Sequence, residues 1–143
     1  MQRFITNIIG LAFLGYGLLR LGVGSLLAGQ ELGFYHFEFF DEPLADIKNF
    51  LVEKQFSHLI PFSVLGYASY IAFMGALLTI GSINHLRKKN SGLIFLGAFL
   101  IAYALLFVNF MTINQKIWHL IVCSVLVLIL LWTTKRAQQN RLH

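Results

Sequence analysis

Charged residues are scarce in this chain. They make up 12% of its 143 residues, about half the roughly 25% of a soluble domain. The deficit excludes an ordinary water-soluble globule, and with a mean hydropathy of +0.72 it places the chain among membrane proteins. Cysteine occurs once, as Cys123, which excludes an internal disulfide and any paired-cysteine metal site. Inside an apolar run it reads as a small, inert side chain. The two prolines, Pro43 and Pro61, interrupt no long apolar run, so the spans lack the broken helices that build transporter sites. No aspartate or glutamate lies within a run either, which removes the acid that proton coupling needs. Gly-x-Ser-x-Gly, His-Glu-x-x-His and glycine-rich phosphate loops are missing, and with them the usual signatures of nucleophilic, zinc and phosphate chemistry. The expectation is a protein with no catalytic set, no metal ligands and no cofactor.

Most of the charge falls into two groups. Glu31, Glu38, Asp41, Glu42, Asp46 and Glu53 all lie between the first and second apolar runs. Arg3, then Arg87, Lys88 and Lys89, then Lys135, Arg136 and Arg141 fall at the opposite ends of the runs. Positive residues concentrate in cytoplasmic loops, so both termini are expected in the cytoplasm and residues 29–59 outside. The net charge of +5 is then a by-product of topology. It calls for the lipid bilayer and its anionic heads as partner, not for nucleic acid.

A membrane-crossing helix needs about 20 mostly apolar residues, and four runs qualify: 4–28, 60–84, 91–113 and 117–134. The expected fold class is all-α, a single four-helix transmembrane domain over residues 1–143. The first run starts after Arg3 as a secretory signal would, but it exceeds the ~7–15 residues of a signal core. It reads as a retained anchor, with the inner (cytoplasmic) membrane of a bacterium as the expected location. The links at 85–90 and 114–116 are short and force antiparallel neighbours. The long connection carries Phe34, Tyr35, Phe37, Phe39 and Phe40, then Asp41-Glu42-Pro43, a helix start with Asp41 as N-cap and proline in the first turn. Over 42–55, Leu44, Ile47, Phe50 and Leu51 oppose Asp46, Asn49 and Glu53. That spacing predicts an amphipathic helix lying at the interface or over the bundle mouth. Trp118 and Trp132 bracket the fourth run as interfacial anchors.

Helices in lipid associate through small residues that let backbones approach. The first run offers Gly15 with Gly22 and Gly17 with Gly24. The second offers Ala68, Ala72 and Ala76 beside Gly75, and the third Gly97, Ala98 and Ala102. The fourth, nearly all Leu, Val and Ile, is expected to face lipid or a partner.

Arg20 is the most informative residue, because a charge deep in the bilayer costs ~2.5–3.5 kcal/mol on insertion scales. It snorkels to the interface, pairs with a loop acid, or holds a ligand. In the expected orientation Tyr67, Asn109 and His119 reach its level. Arg20, Tyr67, Asn109 and His119 therefore form the candidate ligand-binding set at the external mouth. A haem site would need axial ligands inside the spans, where only His119 is placed, and beside Trp118 it reads more simply as interfacial. The inner half is almost purely apolar, which speaks against a transmembrane pathway through one chain.

The first run reads Phe13-x-x-x-Gly17-x-x-Arg20-Leu21-Gly22. This resembles the first helix of DoxX-like membrane proteins, which carry an aromatic, a glycine and then a basic residue near the outer end. The resemblance implies a four-helix bundle associated with quinone-linked or thiol-linked redox chemistry, with Arg20 at the family's basic position. Three roles remain open. The leading one is a non-catalytic accessory, assembly or interaction partner, acting on another membrane protein or as a homo-oligomer. The alternative is a ligand-binding or redox-associated protein with an external pocket for a quinone, a lipid or a small anion around Arg20. The third is a small-solute transporter working as an oligomer.

Overall fold

The computed structural model describes residues 2–111 and 116–139, with side chains over 4–111 and 116–136. It is all-helical among these residues: α1 Gln2–Glu31, α2 Asp41–Glu53, α3 Val64–Leu86, α4 Ser91–Phe110 and α5 Ile117–Gln139, with a 3₁₀ turn at Glu38–Phe40. Four of the helices, α1, α3, α4 and α5, are long and apolar enough to cross a membrane. The chain is a multi-pass membrane protein. At ~1.5 Å per residue the 20 residues of α4 match a hydrocarbon core of ~30 Å. The 30 residues of α1 overhang it.

The four spans form a bundle in which α1 packs on α3, α3 on α4 and α4 on α5, and a narrower α1–α5 seam closes the ring. The broadest interface is α1 on α3, and glycine is the reason. A Cβ at Gly24 would stand 2.5 Å from the Ala72 nitrogen, and one at Gly17 would stand 2.8 Å from the Thr79 nitrogen. From the other side, a Cβ at Gly75 would collide with the backbone of Leu21. Gly10 continues the stripe, facing Leu86. Gly15 and Gly22 face open space, so of the two sequence-predicted pairs Gly17 with Gly24 makes the contact and Gly15 with Gly22 does not. Gly97 also faces open space, and α3 meets α4 instead at Gly81 and Gly92, where a Cβ would approach the backbones of Leu96 and His85.

Phe13 of α1, Met74 and Leu78 of α3, Leu96 and Phe99 of α4 and Leu130 of α5 form the centre of the core. α5 gives one face to it through Cys123, Val127 and Leu130, and leaves Trp118, Val122, Val125 and Trp132 outward. The buried and half-buried serine and threonine hydroxyls of α3 and α5 are satisfied locally, as lipid demands of polar groups. Thr79 donates to the Gly75 carbonyl at 2.8 Å, Ser82 to Leu78 at 2.6 Å and Ser124 to Leu120 at 2.8 Å.

The connection between α1 and α3 is ordered by its own contacts. Gly33, with φ +77, turns the chain after α1, and the Tyr35 hydroxyl donates back to the Leu26 carbonyl at 2.9 Å. Gln30 ties the end of α1 to α2: its amide donates to Asp41 Oδ1 at 2.8 Å and accepts from the Phe37 N–H at 3.0 Å. Asp41 is thus the first helical residue and not the N-cap, which is Phe40 without a side-chain bond, because the preceding 3₁₀ turn runs straight into the helix. α2 buries Leu44, half-buries Ile47, Phe50 and Leu51, and exposes Asp46, Asn49 and Glu53. Leu44 and Phe40 form a second small core with Leu27 and Ala68, across the ends of α1 and α3.

The second apolar run begins extended, so α3 starts four residues later than its hydropathy predicts. Ile60 precedes Pro61, which disfavours helical backbone, and Ser63 is the N-cap, accepting from the Gly66 N–H at 3.0 Å. Met111 adopts the left-handed conformation, φ 47, and ends α4; the rest of the predicted third span and most of the 114–116 link lie outside the described residues.

Candidate functional site

At the end of the bundle beneath α2, the spans part around a cavity of about 230 Å³. α1 contributes Tyr16 and Arg20, α3 contributes Tyr67, Ile71 and Met74, and α4 contributes Tyr103, Leu106, Phe107 and Phe110. Phe50 of α2 covers it. Lys116 and His119, both exposed at the start of α5, form its rim.

Each position follows from helix geometry. Tyr16 and Arg20 are one turn apart on α1, as are Phe99 and Tyr103 on α4, and side chains four apart share a face. Arg20 lies roughly 16 Å below Glu31 along α1, at ~1.5 Å per residue. The Phe50 ring packs on Phe110, with centroids 4.9 Å apart, and reaches Tyr67 at 6.1 Å. One helical turn of α2 thereby becomes the roof.

Arg20 sits among rings. Its guanidinium carbon is 4.5 Å from the Tyr103 ring centre, 5.0 Å from Tyr16 and 5.8 Å from Phe99. A desolvated cation over a ring face gains about 0.5–2 kcal/mol. Three faces are thus of the same order as the ~2.5–3.5 kcal/mol that a charge inside a span costs. Nη1 donates to Met74 Sδ at 3.6 Å, a weak acceptor. The ion pairs of the described residues are His36–Asp41, Lys48–Glu31 and Lys54–Glu53, so Arg20 takes none of the loop acids. Of the three readings of Arg20, pairing with an acid is the one its surroundings do not realise.

The four sequence-predicted residues divide. Arg20, Tyr67 and His119 line one cavity. Asn109 does not line it. Its side chain is buried and clamps the segment before α3: Oδ1 accepts from the Ile60 N–H at 2.7 Å, and Nδ2 donates to the Ile60 carbonyl at 3.1 Å. The Asn109 carbonyl also accepts from the Leu59 N–H at 2.9 Å. Asparagine was placed by depth alone, and depth does not tell which way a side chain turns. Tyr16 and Tyr103 are site residues missing from the predicted set. The signal for Tyr16 was its spacing of four from Arg20. For Met74 and Lys116 there was none.

Among the described residues no Asp or Glu lines the cavity, and no three His, Cys, Asp or Glu side chains come together. The lining offers cations, phenol hydroxyls and apolar walls. Such a set can hold a head group that accepts hydrogen bonds and carries an apolar body. Comparison of the chain with protein-family models, with curated proteins and with solved structures finds no match, so the functional reading stands on this chemistry.

Proposed function

We propose that this multi-pass membrane protein binds the head of a bilayer-resident amphiphile in the cavity around Arg20, and that it acts by binding and not by catalysis. The observation that carries the reading is Arg20 itself: a cation inside a span, held by ring faces, without a carboxylate partner among the described residues. An intramembrane charge marks a functional site by default when nothing structural neutralises it. The charge pattern of the loops supports an orientation with α2 and the cavity on the external side of a bacterial cytoplasmic membrane. A transmembrane route is no part of the proposal. Below the cavity Phe99, Leu78, Leu96 and Leu130 are fully buried, and the nearby hydroxyls are bonded to their own helices.

The resemblance of α1 to DoxX-like proteins supports a narrower version, in which the head is a quinone and the protein accompanies a redox enzyme. The aromatic lining favours it, since a flat ring stacks among Tyr16, Tyr103 and Phe107. An accessory role remains compatible with both, with the outward Trp118–Trp132 face of α5 as the contact surface.

Native mass spectrometry of the protein released from mild detergent tests the proposal. Wild type should retain small-molecule adducts that Arg20→Leu loses while its melting temperature stays unchanged. If a folded Arg20→Leu keeps every adduct, Arg20 is a structural residue and the binding role falls.

A further inference from the structure

The binding role leaves the chemistry of the head open, and the cavity narrows it. We infer that the group held at Arg20 is an oxyanion carried on an acyl chain, a carboxylate or a phosphate ester; this rests on the binding role proposed above. Arg20 lines the cavity from inside a span, with Lys116 and His119 at the exposed rim, and among the described residues no acid lines it. A neutral ligand would leave Arg20 with an excess of charge inside the span, where an uncompensated charge is costly. An anionic head removes it.

The donors point the same way. Arginine presents N–H groups in a planar fork that matches the two oxygens of a carboxylate or phosphate. Ring faces attract the charge of Arg20 but accept no strong hydrogen bond, and the sulfur of Met74, to which Nη1 donates, is a weak acceptor. Neither a backbone carbonyl nor a carboxylate accepts from Arg20 among the described residues. A single quinone carbonyl would engage part of the fork, whereas an oxyanion engages two donors at once. The Tyr67 and Tyr103 hydroxyls add neutral donors around the same space.

Size separates the head from the whole molecule. About 230 Å³ is below the ~300 Å³ at which pockets begin to enclose drug-sized ligands. The cavity therefore takes a head and its first carbons, along Ile71, Leu106 and Phe107, and leaves the remaining chain in the bilayer. A phospholipid and a free fatty acid satisfy this equally.

The test compares tritiated oleate with tritiated oleyl alcohol, the same chain with a neutral head, by equilibrium binding to the full chain in a non-ionic detergent. Oleate should bind at least tenfold more tightly. Arg20→Leu and Arg20→Gln should reduce oleate to the level of the alcohol. Lys116→Gln, at an exposed rim position, should weaken oleate several-fold and leave the alcohol unchanged; it carries the test alone if the Arg20 variants do not fold. Displacement of oleate by dioleoylphosphatidylglycerol supports the inference and makes a lipid phosphate an alternative occupant. Displacement by inorganic phosphate but by no acyl-bearing anion overturns the chain requirement. Equal binding of alcohol and oleate that is lost in the Arg20 variants overturns the oxyanion and spares the binding role. Failure of both amphiphiles to bind overturns the two together.

Discussion

Asn109 pairs with Ile60 as one peptide pairs with another across a sheet, accepting from its N–H at 2.7 Å and donating to its carbonyl at 3.1 Å. This two-way clamp fixes the extended approach to α3 against the last turn of α4, just behind the cavity. Asn109→Leu fills the same space without either bond and leaves the part-buried Ile60 N–H and carbonyl without this partner, at a cost of about 1–3 kcal/mol for the two bonds. The variant should melt lower, and hydrogen exchange at the amides of Leu59 and Ile60 should accelerate. Unchanged protection at both amides would show that the clamp contributes nothing.

The α1–α3 contact predicts a contrast among glycines of one helix. Gly24→Ala drives a methyl into the backbone of Ala72, and a contact made of two backbones cannot yield by rotating a side chain. A loss of about 1–3 kcal/mol is expected for such overpacking. Gly22→Ala meets open space and should be neutral or slightly stabilising, because alanine has the better helix propensity. Thermal unfolding in detergent distinguishes the two; equal shifts would rule out the glycine stripe as the basis of packing. By the same reasoning Ala72→Leu should be far more disruptive than Val125→Leu on the outward face of α5.

The spans were legible in the sequence because length and hydropathy are properties of a whole segment, and α1, α4 and α5 lie close to where the runs place them. The start of α3 was not. Its first residues are as apolar as the span, and Pro61 acts together with a distant partner, Asn109, to hold them extended. The site was half legible for a related reason. Depth along a helix can be counted, which brought Arg20, Tyr67 and His119 to one level, but the direction of a side chain depends on how neighbouring helices rotate. That rotation is set by which glycines meet a backbone, and Gly15 and Gly17 look alike until α3 is in place. The 3₁₀ turn that displaces the helix cap from Asp41 to Phe40 likewise rests on Gln30, eleven residues upstream.

The proposed orientation has its own test. With Cys123 buried and replaced by serine, single cysteines at Lys48 in α2 and Lys88 in the α3–α4 turn report the two faces. Lys48→Cys should react with a membrane-impermeant maleimide in intact cells, and Lys88→Cys only after permeabilisation. The reverse pattern would put the cavity on the cytoplasmic side and reassign its ligand to that leaflet.

Arg20 and Tyr103 permit the most direct measurement of how the cation is held. Tyr103 is 4% exposed, and its hydroxyl lies 3.5 Å from the Lys116 carbonyl, too far for a strong bond. Tyr103→Phe keeps the ring face and should leave the melting temperature nearly unchanged. Tyr103→Leu removes the face and part of the core together, so its loss alone does not isolate the interaction. A double-mutant cycle with Arg20→Gln does, since the packing loss cancels and the coupling remains. A cation over a desolvated ring predicts a coupling of about 0.5–2 kcal/mol between Arg20→Gln and Tyr103→Leu, and none between Arg20→Gln and Tyr103→Phe beyond that of the hydroxyl. Zero coupling in both cycles would mean that the rings do not hold the charge, and that Arg20 reaches its place by snorkelling instead.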